Sequence, residues 1–273
     1  MPENKEHAGR TRAVVTGGGG EILGEVALQL GRSGISVAVW DLSLEKAQRT
    51  ADAIEADGGE AQAVQCDVTS RESIAKAVES ALSHWGRIDI LINGAGGSHP
   101  STTTSADLTF FEIDPTDIKM VMDLNYLSIV LCCQAVGKIM AEQESGSIVN
   151  VTSVAGISPL TRAVAYSNGK SAANSFTQWL AVHMSHNYST KIRVNAVAPG
   201  FVLTEQNRFL LVEPETGELT DRGKQILRAV PAARYGTARE IAEVVVFLSG
   251  DGAAFVNGAV IPVDGGFTAY SGV

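Results

Sequence analysis

RAVVTGGGGEILGEVALQLGRSGISVAVWD, Arg12 to Asp41, is the stretch from which the fold follows. Arg12 to Thr16 is a short β-branched run that leads straight into four glycines, Gly17 to Gly20. Ile22, Val26 and Leu30 then recur at helical spacing until Ser33-Gly34. Ser36 to Trp40 is a second apolar run, closed by Asp41. Strand, glycine turn, helix, strand opens a parallel sheet and is also a phosphate-binding layout. Glycines let the backbone approach a pyrophosphate, and the free N–H groups at the helix start attract its charge. A carboxylate at position 41 accepts hydrogen bonds from an adenosine ribose and repels a 2′-phosphate, which predicts NAD rather than NADP.

The alternation continues outward. A helix from Leu44 to Ala56 stops at Asp57-Gly58-Gly59, and a strand from Ala61 to Cys66 leads into Asp67-Val68. A helix from Ser70 to Trp85 and a strand from Ile88 to Ile92 lead into Asn93-Gly-Ala-Gly96. Asp67 and Asn93 lie past strand ends, where parallel sheets bind ligands; Asp67 is equally a helix cap and Asn93 a turn residue. Gly97 to Pro115 is irregular and unusually long, and its His99 is either solvated or functional. A helix from Asp117 to Gln143 carries Asn125, a poor helix former that needs partners when buried. Strands follow at Ser147 to Val151, Ile192 to Val197 and Ala259 to Val263, with a helix through Phe176 and Trp179 and another from Glu240 to Leu248. The pattern predicts an α/β chain: one doubly wound Rossmann-type domain over residues 1–273, a seven-stranded parallel sheet with six helices on its two faces. Residues 1–10 form a polar tail, and residues 205–233, rich in turns with marginal helical patches, form a segment that can cover a ligand.

Thirteen residues after Ser153, at the end of the strand Ser147 to Val151, comes Tyr166, and Lys170 comes one helical turn later. At i and i+4 a tyrosine and a lysine share a helix face. A phenol ordinarily titrates near about 10, and a neighbouring ammonium favours the phenolate, so the pair is suited to exchanging a proton near neutrality. Ser153 is placed to bond the same oxygen. Taken alone, these residues more often make an ordinary helix surface pair and a turn cap, and the rest of the chain decides between the readings.

A net charge of −9 speaks against nucleic-acid or anionic-membrane partners, so an anionic ligand needs a local basic pocket. Cys66, Cys132 and Cys133 lie in apolar surroundings without metal-ligand spacing; they read as buried thiols in a reducing compartment, and no metal is expected. No signal segment opens the chain, and the apolar stretch Val121 to Val136 is short and broken by Asp123, Asn125 and Gln134, so the expected location is the cytoplasm.

Thr16-Gly17 with its glycine turn, Asp41, Asp67-Val68, Asn93-x-Ala-Gly96, Asn125, Ser153, Tyr166-x-x-x-Lys170 and Pro199-Gly200 together resemble the short-chain dehydrogenase/reductase family over almost the whole chain. The resemblance implies that Tyr166 is the general acid/base and that Ser153 orients the substrate oxygen. It implies that Lys170 lowers the phenol's pKa and binds the nicotinamide ribose, and that Asn125 positions a water of the proton relay. NAD would be held by Thr16, Gly17, Gly19, Ile22, Asp41, Leu42, Asp67, Val68, Asn93, Ala95, Gly96, Tyr166, Lys170, Pro199, Val202 and Thr204. A homotetramer is implied, built on the helices around Asn125 and Phe176 and on the C-terminal strand. One departure stands out: in the family's T-G-x-x-x-G-x-G pattern the later glycines are replaced by Glu21 and Leu23. Glu21 would repel a pyrophosphate unless its side chain turns outward.

Gly96-Gly-Ser-His-Pro100, Ala198 to Arg208 and Asp264 to Val273 are similar to the D-mannonate oxidoreductase (fructuronate reductase) branch, which implies a sugar-acid substrate. Candidates to hold its carboxylate are His99, Gln206, Asn207 and Arg208, with Arg162 as a further cation. The alternatives are a neutral polyol, a cyclitol or an acyl ketone as substrate, or a non-catalytic NAD sensor, which would have no use for an intact proton relay.

Overall fold

Each strand in the sheet runs parallel to its neighbours. The computed structural model describes residues 10–272 apart from the side chains of Gln206, Phe209 and Leu210, so all but the last residue of the tail expected over residues 1–10, and the Gln206 contact, lie outside the described residues. Strands β1 (Arg12–Thr16), β2 (Ser36–Asp41), β3 (Ala61–Gln65), β4 (Ile90–Asn93), β5 (Gly146–Val151), β6 (Ile192–Pro199) and β7 (Val260–Val263) form a 7-stranded sheet in the order β3-β2-β1-β4-β5-β6-β7. The order reverses between β1 and β4, which opens a crevice at the carboxyl ends of those strands.

The helices are α1 (Glu21–Arg32), α2 (Leu44–Ala56), α3 (Arg71–Trp85), α4 (Pro115–Met122), α5 (Ser128–Glu142), α6 (Val164–Asn187), α7 (Glu205–Leu211), α8 (Asp221–Ala229) and α9 (Ala238–Ser249). Strand alternation splits the core into two layers. Val14 points into one layer with Val78, Ile129, Met140 and Leu180, while Ala13 and Val15 point into the other with Val26, Leu30, Ile54 and Ile241. Ser43, Ser70 and Thr237 cap α2, α3 and α9 with side-chain oxygens.

The helix expected from Asp117 to Gln143 is a run from Pro115 to Glu142 interrupted by a π-helical turn at Asp123–Leu127. Its cause is Asn125, fully buried, whose amide donates to the Val121 carbonyl one turn back. The run has the length and mean hydropathy, 1.5, of a membrane span, yet half of its apolar window is buried, and Val136 and Met140 lie in the core. The covering segment holds two real helices, α7 and α8, where only marginal patches were expected. They pack on each other through Leu211, Val212, Ile226 and Val230 rather than on the sheet, so their sequences carry a short apolar stripe.

Candidate active site

Gly17 sits at φ +69, and a Cβ there would come within 2.9 Å of the Ala95 backbone, so only glycine fits where β1 turns into the crevice. Thr16 acts from beneath: its hydroxyl accepts the N–H groups of Gly94 at 3.0 Å and Ala95 at 3.3 Å, fastening the β4 loop to β1. The N–H of Gly19 donates to Asp41 Oδ2 at 3.0 Å, and Asp41 Oδ1 accepts from Ser43 at 2.9 Å. Helix α1 starts on Gly20 with no side chain capping it, which leaves first-turn N–H groups for a ligand, with Ile22 half-buried beside them.

The two departures from the glycine pattern have distinct solutions. The Glu21 carboxylate turns away and accepts the N–H of Glu205, the first residue of α7, at 2.7 Å. Leu23 fills the space a side chain at 94 would need: a Cβ on Gly94 would lie 2.2 Å from Leu23 Cγ. The signal for this exchange of sizes was present in the sequence as a glycine at the variable position of Asn93-x-Ala-Gly96.

Asp67 is not the cap of α3, a role Ser70 fills; it closes a local turn by accepting the Thr69 N–H and hydroxyl. Val68 is buried beside it and Leu42 is 68% exposed. The Asn93 side chain faces the core, donating to Asn150 Oδ1 at 2.9 Å and to Cys133 Sγ at 3.3 Å, so Asn93 reaches the crevice only with its backbone, as Ala95 and Gly96 do.

Ser153, Tyr166, Lys170 and Asn125 converge on Gly96-Gly97. The Ser153 hydroxyl bonds the Tyr166 phenol, and Lys170 Nζ stands 5.7 Å from the centre of the Tyr166 ring. A Cβ on Gly96 would lie 2.8 Å from Asn125 Oδ1 and 3.1 Å from Lys170 Nζ. Asn125 is locked there, accepting the Gly97 N–H at 3.0 Å and donating to its carbonyl at 2.7 Å. Burial pushes the phenol above its ordinary value, and the Ser153 bond offsets part of this. Burial lowers Lys170 to about 8. The expected lowering of the phenol by Lys170 is not among the causes acting on it here, which are burial and Ser153. The ammonium is directed at the Val151 carbonyl, 3.0 Å away, and both groups lose hydration.

Of the expected carboxylate ligands, Asn207, His99 and Arg208 are described. Asn207 spends its whole amide on the turn before α7: Oδ1 accepts from Thr204 N–H at 2.9 Å and Nδ2 donates to the Val202 carbonyl at 2.8 Å. It thereby shapes the Val202 to Thr204 stretch that follows Pro199, with Val202 buried against Gly236. His99 is exposed and caps its own turn through Ser101 at 2.7 Å, and Arg208 is exposed on α7. Among the described residues no group of His, Cys, Asp and Glu could hold a metal ion.

The sequence profile of a family described as enoyl-(acyl carrier protein) reductase matches residues 22–268, a span that includes all four converging side chains. The chain belongs to the short-chain dehydrogenase/reductase family. As a short-chain dehydrogenase/reductase it is an oxidoreductase acting on CH–OH groups. It is 39% identical over 282 aligned residues to an uncharacterized oxidoreductase of Bacillus subtilis, with 100% of each chain covered. A crystal structure from Haemophilus influenza, provisionally assigned as a D-mannonate oxidoreductase and holding NAD, superposes with a TM-score of 0.89 at 39% identity over 96% of both chains. A D-threitol dehydrogenase of Mycolicibacterium smegmatis is 33% identical over 256 residues, covering 94% of this chain and 92% of its own. These relatives differ in the names of their substrates, so membership of this short-chain dehydrogenase/reductase family fixes the kind of chemistry and leaves the substrate to the site.

Proposed function

We propose that the protein is an NAD(H)-dependent oxidoreductase interconverting the ketone and secondary alcohol of a sugar acid, D-fructuronate and D-mannonate. The observation that carries the chemistry is the convergence of Ser153, Tyr166 and Lys170 beside Gly96. The crevice fits the cofactor: glycines at 17 and 19 where a Cβ would collide, uncapped N–H groups at α1, and a carboxylate at 41 where NADP would bring a phosphate. Residues suited to hold it are Gly17, Gly19, Ile22, Asp41, Leu42, Asp67, Val68, Ala95, Gly96 and Lys170, with Pro199, Val202 and Thr204 at the nicotinamide end. Bound NAD(H) supplies or accepts a hydride. Tyr166, kept protonated by burial, holds the proton for the substrate oxygen, and Ser153 bonds that oxygen as charge grows on it. The buried ammonium of Lys170 stabilises the negative charge that proton transfer leaves on the phenol.

The sugar-acid assignment draws on the loop similarities and on the NAD-holding relative named for D-mannonate. NADH consumption with D-fructuronate and with neutral ketoses tests it: a kcat/KM preference for the acid of about tenfold or more supports the assignment. The reverse preference replaces it with a neutral polyol reading, which the D-threitol relative favours.

The same reading includes a cytoplasmic homotetramer. Trp179, Val182 and Met120 are exposed on the α4–α6 face, and Phe247 and Phe255 near β7, in keeping with two apolar contact surfaces. Light scattering giving a mass four times the chain's 28.7 kDa supports the tetramer, and a monomer refutes it.

A further inference from the structure

Glu21 opens α1 at the place where that helix has donors to spare. The first bond inside the helix runs from the Gly24 N–H to the Gly20 carbonyl at 2.7 Å, so the N–H groups of Glu21, Ile22 and Leu23 point out of its start, with no side chain capping them. These are the donors suited to a pyrophosphate, and the Glu21 carboxylate springs from the same turn. Left beside them, it would compete for the donors and repel the phosphate charge.

The carboxylate is held elsewhere. Its Oε2 accepts the Glu205 N–H at 2.7 Å, and it has no other partner among the described residues. Glu205 is the first residue of α7 and directly follows Thr204, whose own N–H is held by Asn207 Oδ1 at 2.9 Å while Asn207 Nδ2 holds the Val202 carbonyl. One hydrogen bond therefore joins the start of α1, the pyrophosphate end of the crevice, to the stretch Val202 to Thr204 assigned to the nicotinamide end.

We propose that the Glu205 N–H is a positioning group for the cofactor: it draws the Glu21 carboxylate away from the donors of α1, so that seating of α7 and binding of the NAD(H) pyrophosphate favour each other. This rests on NAD as the cofactor and is independent of the sugar-acid reading. The coupling is reciprocal, since whatever factor a seated α7 lends to cofactor affinity the bound cofactor returns to the seating of α7. A glycine at position 21, as in the family's pattern, would have no charge to withdraw, so the coupling belongs to this chain's own loop.

The test titrates NADH calorimetrically, without substrate, into the wild type, Glu205→Pro, Glu205→Ala, Glu21→Asp, Glu21→Gln and the double variant Glu21→Gln/Glu205→Pro. Proline suits the first position of a helix, and Thr204 before it is already extended at φ −127 and ψ 162, so Glu205→Pro removes the one N–H and keeps α7. Glu21→Asp breaks the same bond from the other side, one methylene short, without touching α7. Both keep the charge at 21 and should weaken NADH by about five- to twentyfold, whereas Glu205→Ala, which keeps the N–H, should stay within about twofold of wild type. Glu21→Gln should bind NADH at least as tightly as wild type, and adding Glu205→Pro to it should change nothing. Saturating NADH should slow amide exchange at Glu205 in the wild type by about the same five- to twentyfold. An equal loss from Glu205→Pro in the Glu21→Gln background overturns the proposal, because the effect would then not pass through the charge. So does an NADH affinity unmoved by both Glu205→Pro and Glu21→Asp, or an exchange rate at Glu205 that NADH leaves unchanged. A wild type that binds no NADH overturns the coupling and the cofactor assignment together.

Discussion

At position 170 the fold carries a charge that burial works against. The ammonium is held at about 8, below its ordinary 10.5, because it is desolvated. The folded protein therefore binds this proton less tightly than the unfolded chain does. The resulting penalty is present in full below pH 8, fades as pH rises from about 8 to about 10.5, and is gone above that. Lys170→Met should raise stability at pH 7 by about 1–3 kcal/mol, the lower value allowing for the Val151 carbonyl bond it forfeits, and abolish turnover. Urea unfolding at pH 7 and at pH 10 checks both sign and window, since the gain should shrink at the higher pH. The same titration predicts that kcat/KM for NADH falls as pH rises through about 8, because the free enzyme then loses the ammonium. Burial moves the Tyr166 phenol the other way, above its ordinary value.

Between elements, the departures from the family's glycine pattern became contacts. Glu21 joins the start of α1 to the start of α7, so the residue that looked hostile to phosphate holds the covering segment in place. Glu21→Ala should leave α7 without that acceptor and speed amide exchange at Glu205, with global stability lowered by no more than about 1 kcal/mol. An unchanged exchange rate at that amide would show that the contact does not hold α7. Leu23 and Gly94 share one volume. Gly94→Ala should destabilise by about 2 kcal/mol through collision with Leu23. Leu23→Ala in the same chain should relieve much of that, giving a coupling of about 1 kcal/mol or more in thermal melts, whereas strict additivity would refute the shared volume. Such contacts are not written in a linear pattern. Asn207 read as a ligand because its type suits one, yet side chains of that type satisfy turn backbones just as well, and only the folded loop decides.

Across the whole molecule, legibility follows burial. Parallel strands covered on both faces are near-continuous apolar runs, so all seven were visible, and the ligand-binding edge came with them. The four-residue centre was legible because Tyr166 and Lys170 sit one helical turn apart and Ser153 ends a strand. The covering segment was not, since α7 and α8 pack chiefly on each other. The sheet, the loop at Gly96 and the fixed end of α6 together place a phenol, a hydroxyl and an ammonium at one point. Turnover by Tyr166→Phe, measured alongside NADH binding, tests that placement most directly. The account predicts NADH affinity within about twofold of wild type and a loss in kcat of roughly a hundredfold or more; a phenylalanine variant that keeps a tenth of wild-type activity would contradict it.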